Sequence, residues 1–218
     1  IHHILITHDH ADHIKSVGSI SDSFNIPVYS TQAVHEGIAK NWCVKKKVSP
    51  NQVRYVEKGK TQQIGDFTVT PFAVPHDSSD CVGYCVQCEG ITFTLVTDCG
   101  HVTEEICAFV AKANYLVIEA NHEVEKLMAG PYPLYLKERI TSQIGHLSNA
   151  ECARTIVENA TENLKHVWLC HLSDENNHPE LARIAVTSLM ESYGLRAGVD
   201  FIVEVLRRKI PSEIHDLK

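Results

Sequence analysis

The sequence predicts an α/β (α+β) fold, with β-sheets covered by helices, organised as one domain over residues 1–218. Apolar runs of β type first follow one another as hairpin-like pairs and later alternate with stretches of helical periodicity. That order favours covered sheets over a single open doubly wound sheet. No linker or internal repeat divides the chain, and 44% of its residues are hydrophobic, which is enough for a sizeable core.

Strands are predicted where apolar residues alternate or run together between turn residues. They cover residues 1–7, 27–29, 53–74, 82–88, 91–97, 115–120, 166–170 and 201–205. Glu89 and Gly90 separate two of these runs and favour a tight hairpin turn. Pro71 is compatible with an edge position, because proline has no N–H to donate to a neighbouring strand.

Helices are predicted from apolar spacing and from capping residues. They lie near residues 12–23, 31–41, 103–110, 136–140, 148–160 and 179–193. Thr31 and Thr103 are placed as N-caps, Ser148 opens a capping box, and Pro179 occupies a first turn. Helical spacing turns these apolar side chains inward: Ile14, Val17, Ile20, Leu181, Ile184, Leu189 and Met190.

Composition narrows the class of protein. No run approaches the roughly 18 apolar residues of a membrane span, so no membrane association is expected. The eight cysteines mostly fall in apolar segments of a chain too long to need a disulfide framework, which predicts reduced thiols and a cytoplasmic protein. The net charge of -7 argues against a broad nucleic-acid surface, although a local basic patch is available at Lys45, Lys46 and Lys47.

The densest polar cluster is THDHADH, residues 7–13, directly after an apolar run. Residues two apart on an extended strand point the same way, so His8 and His10 are predicted to bind one ion. The chain then turns and delivers Asp12 and His13 to a second ion. Imidazole and carboxylate together suit zinc, manganese or iron better than calcium or magnesium. The alternative is a histidine-rich polar turn with no ligand role.

Three more candidate ligands each stand where a predicted strand ends. His76 closes FAVPH, Asp98 closes ITFTLVTD, and His171 closes HVWLCH. Strand ends are where sites assemble in layered α/β folds, because the scaffold there is rigid. A single histidine in this position is more often a surface residue. Together with residues 7–13, however, the three complete the roughly seven protein ligands that two metal ions need.

Asp98 is predicted to bridge the two ions, because a carboxylate has two oxygens and a charge that offsets two cations. The other ligands divide into His8, His10 and His76 for one ion, and Asp12, His13 and His171 for the other.

The pattern HxHxDH after a strand, followed by His, Asp and His at successive strand ends, resembles the metallo-β-lactamase superfamily over essentially the whole chain. The resemblance implies a four-layer αββα sandwich with a binuclear site at one edge of the sheets. Family members place a β-hairpin before the first metal motif, and this sequence is expected to lack that segment. PHDSSDCVGY, TDCG, EANHE, GPYPLYLKERI and GHLSN resemble the YycJ or WalJ branch, near nuclease-type and ribonuclease Z-like members.

The resemblance also implies roles in catalysis. His146, in GHLSN, resembles the histidine that nuclease-like members place over the scissile phosphate, and it is expected to protonate the leaving oxygen. Glu119 is expected to orient His146, and Asp12 to orient the nucleophile. The alternative for His146 is that it only fixes its loop. His122 has no settled role.

The implied reaction is hydrolysis by a hydroxide between two divalent metal ions, zinc or manganese with iron as a further candidate. For this branch the substrate is DNA, and the implied activity is a 5′ to 3′ exonuclease. A second hypothesis gives the same site an ester, thioester or lactam in a small molecule, which the acidic charge favours. A third hypothesis is a metal-binding but inactive interaction domain. The ligands alone do not separate these three.

Overall fold

The computed structural model describes residues 1–218 and resolves them into two compact units. Unit 1 comprises residues 1–73 and 77–84, and unit 2 comprises residues 74–76 and 85–218. The strand over residues 82–88 therefore passes from one unit to the other along the chain. Whether residues 1–218 fold as one domain stays a prediction.

Unit 1 is built around a three-stranded parallel sheet with the order β1-β2-β3. Helices connect its strands and enclose a core that contains Ile6, Ile14, Val28, Val34 and Ile38. A short antiparallel ladder, β4 with β5, follows in the chain. The elements are β1 (Ile4–Leu5), α1 (Ala11–Ile14), α2 (Val17–Phe24), β2 (Val28–Ser30), α3 (Gln32–Lys40), β3 (Val53–Tyr55), β4 (Gln62–Ile64) and β5 (Phe67–Ala73).

The predicted helix over residues 12–23 is two helices, and the inward orientation of Ile20 is wrong. Ile20 is 44% exposed, whereas α2 buries Val17, Gly18 and Ser21. The reason is a close backbone approach, since a Cβ on Gly18 would lie 1.9 Å from the carbonyl oxygen of Lys46. The glycine face of α2 therefore packs inward, and Ile20 is turned to solvent.

The position of Pro71 also differs from expectation. β5 lies between β4 and the first half of the strand over residues 82–88, so Pro71 is not on an edge strand. The ladder with β4 pairs only residues 67–69 of β5. Pro71 lies beyond that ladder, where its missing N–H breaks no hydrogen bond to β4.

Unit 2 contains a mainly parallel sheet with the order β10-β9-β8-β7, followed by the second half of β6. Because β7, β8 and β9 are parallel neighbours, their carboxyl ends meet at one edge of the sheet. The elements are β6 (Val82–Cys88), β7 (Ile91–Val96), α4 (Glu104–Lys112), β8 (Tyr115–Glu119), α5 (Val124–Ala129), α6 (Leu134–Ile140), α7 (Asn149–Asn159), β9 (His166–Cys170), α8 (Pro179–Ser192) and β10 (Ile202–Val205).

The capping predictions are confirmed. Thr31 and Thr103 accept from backbone N–H groups three residues on, and Ser148 forms a reciprocal capping box with Glu151. The inward orientation of Met190 is confirmed, but that of Leu181 and Ile184 is wrong, because the other buried residues of α8 are Ala182 and Val186. No helix in the structure combines the length and the apolarity needed to cross a membrane.

Candidate metal centre

In unit 1 the segment after β1 gathers three imidazoles. The ring centroid of His8 lies 4.7 Å from that of His10 and 4.2 Å from that of His13. His8 is fully buried, and its Nδ1 lies 3.1 Å from the hydroxyl of Thr7. Nε2 of His13 lies 3.7 Å from the carboxylate of Asp12, on the short helix α1. The donors that the sequence predicts for this segment therefore cluster.

Asp9 lies within the same motif but serves a different purpose. Its carboxylate accepts from the backbone N–H of Ser79 at 3.1 Å and from the Ser79 hydroxyl at 2.6 Å. A Cβ on Gly37 would lie 1.9 Å from Oδ2 of Asp9, so α3 approaches this carboxylate closely. Asp9 thus anchors the loop at residue 79. The alternation of an extended chain is the signal for this role, because it turns Asp9 away from His8 and His10.

In unit 2 three strand ends bring polar side chains to one buried place. Asp98 follows β7, Glu119 ends β8 and His171 follows β9. Oδ1 of Asp98 lies 3.5 Å from Nδ1 of His171, 3.6 Å from Nε2 of His76 and 3.8 Å from Nδ1 of His146. Asp98 is 2% exposed. The roles of these residues as ligands stay predictions.

Glu119 is the most highly connected member of this cluster. Its fully buried carboxylate accepts from Nδ1 of His171 at 2.7 Å and from Nδ1 of His146 at 2.8 Å. It also accepts from the backbone N–H groups of Cys99 at 2.9 Å and Leu147 at 3.1 Å. Burial by itself would raise the pKa of Glu119, but the hydrogen bonds and positive charge of the two histidines outweigh it and hold the pKa well below its usual range.

These contacts determine which imidazole nitrogen can bind a metal. Nδ1 of His146 and of His171 donate to Glu119, and Nδ1 of His76 donates to the carbonyl oxygen of Gly145 at 3.0 Å. Nε2 is then the nitrogen of each ring that can coordinate. Histidines that bind metals commonly donate their other ring N–H to a carboxylate or a backbone carbonyl.

The backbone is unusual at two of the predicted ligands. Asp98 and His171 both have φ of 54°, a left-handed conformation that costs energy for residues other than glycine. His171 stands directly after β9 and Asp98 stands two residues after the end of β7, so the backbone turns sharply at each and directs the side chain toward Glu119 or its partners. Residues in strained backbone conformations of this kind cluster at functional sites.

The donor set of unit 2 fits a transition metal. The unit 2 donors left for an ion are Oδ1 of Asp98 and Nε2 of His76, which lie 3.6 Å apart, together with Nε2 of His171. Imidazole nitrogen and carboxylate oxygen are the ligands that zinc, manganese and iron accept. A divalent cation would also offset the charge of two carboxylates that are both removed from solvent.

Two further sequence features have structural roles. His122 is 2% exposed and forms a β-bridge with Ser148, and its burial lowers its pKa. In the lysine run, Lys46 pairs with Asp22, and Lys47 donates to the carbonyl oxygen of Asn41 just after α3. Of these three lysines, only Lys45 lies against an aromatic ring, with its Nζ 5.5 Å from the centroid of the exposed Trp42.

Comparison with known sequences gives a family. Residues 1–171 match the model of the β-lactamase superfamily domain. An exodeoxyribonuclease YycJ of Bacillus anthracis is 33% identical over 97% of this chain and 79% of its own length. An exodeoxyribonuclease WalJ of Streptococcus pneumoniae is 36% identical over 92% of this chain and 74% of its own length.

Solved structures agree on the fold. The metallo-β-lactamase fold protein YhfI of Bacillus subtilis superposes with a TM-score of 0.68 at 17% identity, covering 95% of this chain and 75% of its own. Zinc-bound PqqB of Methylobacterium extorquens gives 0.66 at 17% identity, over 94% of this chain and 71% of its own. The chain therefore belongs to the metallo-β-lactamase superfamily, in the branch of the YycJ and WalJ proteins.

Proposed function

We propose that this protein is a metal-dependent nuclease that hydrolyses phosphodiester bonds of DNA, proceeding from 5′ ends. Two relatives named exodeoxyribonucleases, 33% and 36% identical over most of the chain, support the substrate class. The observation that carries the proposal is the Glu119 carboxylate, which holds His146 and His171 at once. One buried group thereby positions both the proposed acid and a proposed ligand.

Two divalent ions, zinc or manganese, complete this proposal, with iron as a further candidate. When bound, they supply a water that ionises near neutral pH and positive charge for the phosphate oxygens. Asp98 would hold both ions. The remaining proposed ligands are His8, His10 and His76 for one ion, and Asp12, His13 and His171 for the other.

The side chains have separate tasks in hydrolysis. Asp12 accepts a hydrogen bond from the attacking water and orients it. His146 donates a proton to the leaving oxygen, and the carboxylate of Glu119, 2.8 Å from its Nδ1, holds the ring in position for this transfer. His76 is held by the carbonyl oxygen of Gly145, so its ring does not rotate out of position.

The testing experiment has two parts. Metal content is measured by elemental analysis on protein purified without chelator. Hydrolysis of duplex DNA is then followed with a label at either end, and with phosphorothioate linkages blocking the 5′ or the 3′ terminus. At least two metals per chain and digestion stopped only by the 5′ block support the proposal.

Other outcomes favour the alternative functions. Digestion stopped only by the 3′ block overturns the polarity. Metal-dependent hydrolysis of p-nitrophenyl esters without hydrolysis of DNA or bis(p-nitrophenyl) phosphate favours a small-molecule hydrolase. Two bound metals without turnover of any of these substrates favour an inactive binding domain.

A cytoplasmic location accords with a DNA substrate and with the eight thiols, none of which is in a disulfide.

A further inference from the structure

A second group of metal-ligating side chains lies at the far edge of the unit 2 sheet. His166 begins β9, Glu204 lies on the edge strand β10, and His215 lies in the segment that follows β10. One ligand atom from each lies within 4.8 Å of the others. His166 and His171 stand at opposite ends of β9, about 16 Å apart along the strand, so this group is distinct from the cluster around Glu119.

The distances suit a single ion. Oε2 of Glu204 lies 3.2 Å from Nε2 of His166 and 3.7 Å from Nε2 of His215. Ligands of a tetrahedral zinc ion at about 2.1 Å are about 3.4 Å from one another. Both Nε2 atoms are buried, yet neither makes a hydrogen bond of acceptable geometry. A bound cation would satisfy both nitrogens.

Neighbouring aromatic groups already orient the three side chains. Nε1 of Trp168 donates to Oε2 of Glu204 at 3.1 Å. The ring of His166 stacks on Trp168 at 3.9 Å and 14°, and His215 meets Trp168 edge-on at 4.9 Å and 69°. A cavity of about 310 Å³, lined by these rings and by Ile214, leaves room for a water as fourth ligand. In metal sites, neighbouring residues commonly contact the ligand side chains in this way and fix their orientation.

We propose that His166, Glu204 and His215 bind one divalent transition-metal ion of the zinc class, which ties the segment after β10 to the sheet. Two imidazoles and one carboxylate form a donor set that zinc accepts, with water in the remaining position. His166 and Glu204 are already on adjacent strands, paired through Ile202 and His166. The ion therefore adds one new connection, to His215, and its role is structural. This proposal is independent of the nuclease activity.

The first test is zinc content after equilibration with zinc and gel filtration. The intact protein should hold one zinc per chain more than His215→Ala, whatever number the other ligands hold. His2→Ala removes an exposed imidazole and is the matched control, so it should equal the intact protein. Glu204→Gln keeps an acceptor for Trp168 but loses the charge, and it should also hold one zinc fewer. Equal zinc content in all four proteins overturns the proposal.

The second test follows the segment itself by limited trypsin digestion, since Arg207, Arg208 and Lys209 lie between β10 and His215. At a zinc concentration ten times the dissociation constant, cleavage there should slow by about tenfold. EDTA should reverse this protection, and His215→Ala should show none. Protection of equal size in His215→Ala would mean that zinc acts elsewhere, and the proposal would be wrong.

Discussion

At the scale of single residues, Glu119 is the group on which the unit 2 cluster depends. Its carboxylate accepts four hydrogen bonds, from two imidazoles and two backbone N–H groups. An ionised carboxylate can accept all four because it has about four lone-pair sites and no donor. A neutral amide cannot, because its NH₂ group would face another donor.

Glu119→Gln should therefore lower both metal affinity and turnover. Loss of a carboxylate behind a metal-binding histidine typically costs 10–100-fold in affinity. The unsatisfied buried donors should also lower the free energy of unfolding by about 1–3 kcal/mol. Titration calorimetry measures the metal affinity, and urea unfolding measures the free energy of unfolding. Glu123→Gln, a change at a half-buried neighbour, is the control, and an effect equal to that of the control contradicts the prediction.

Asp98 and His146 should separate metal binding from chemistry. Asp98→Ala removes the proposed bridge, so the protein should hold two metals fewer than the intact protein and lose all turnover. His146→Ala should keep the metal content of the intact protein and lose about 10²–10⁴-fold in kcat, the usual contribution of a general acid. Elemental analysis and steady-state hydrolysis of labelled DNA measure these outcomes. If His146→Ala instead lost metal but kept its rate per bound metal, His146 would be a ligand and not the acid.

At the scale of elements, the loop before α7 depends on a close backbone approach at Gly145. A Cβ there would lie 2.2 Å from the carbonyl oxygen of Ile140 and 2.3 Å from that of Arg139, both at the end of α6. Neither backbone atom can move far without disrupting the helix end. The loop would have to shift instead, and with it the Gly145 carbonyl that accepts from His76.

Gly145→Ala should accordingly weaken metal binding by about 10–100-fold, because His76 loses the contact that orients its ring. Circular dichroism should show that the fold is retained. Gly59→Ala is the control: its φ of 73° makes alanine strained there, but no atom lies within 4 Å of the added Cβ. A loss of affinity in Gly59→Ala as large as in Gly145→Ala would point to general destabilisation.

Helix α3 contributes a pH-dependent contact. His35 is buried, its Nε2 lies 3.0 Å from the carbonyl oxygen of Arg54 in β3, and burial lowers its pKa from 6.5. The unfolded chain thus takes up this proton at a higher pH than the folded protein does. The stability that neutral His35 contributes is complete above about pH 6.5 and is lost as the pH falls through the lowered value.

His35→Gln should therefore flatten the pH dependence of stability in acid. Its amide can still donate toward Arg54 but does not titrate. Urea unfolding between pH 5 and 7.5 measures the difference between the intact protein and the variant. His2→Ala, which removes an exposed imidazole, should follow the intact protein. Parallel curves for intact protein and His35→Gln would show that His35 does not contribute to the acid dependence.

At the scale of the whole molecule, the chain passes between the two units more than once. Residues 74–76 belong to unit 2, residues 77–84 return to unit 1, and β6 continues into unit 2. Neither unit is a contiguous piece of sequence. Unfolding one unit alone would leave part of β6 without its structure, which disfavours independent unfolding.

We therefore expect a single cooperative transition on heating. Calorimetry reports the whole chain, and in Trp42→Phe the fluorescence comes only from Trp168, the other tryptophan, in unit 2. The two methods should give the same midpoint. A fluorescence midpoint that coincides with only one of two calorimetric peaks would show that the units unfold separately.

The sequence by itself determined the family, the α/β class and most of the element starts. Capping residues such as Thr31, Thr103 and Ser148 act through contacts within one helical turn, so local sequence is sufficient to locate them. The predicted metal motif is equally local, since four of its residues lie within seven positions. Residues at strand ends could be nominated because strand periodicity marks where each strand stops.

Only the tertiary structure decided which face of α2 and α8 turns inward, because the packing of Gly18 and Ala182 depends on neighbours distant in sequence. It also decided that Glu119 holds His171 as well as His146, and that Asp9 anchors Ser79. His166, Glu204 and His215 carry no recognisable spacing, and parallel strands brought the first two together. Contacts of this kind depend on chain folding over long separations, which no local pattern encodes.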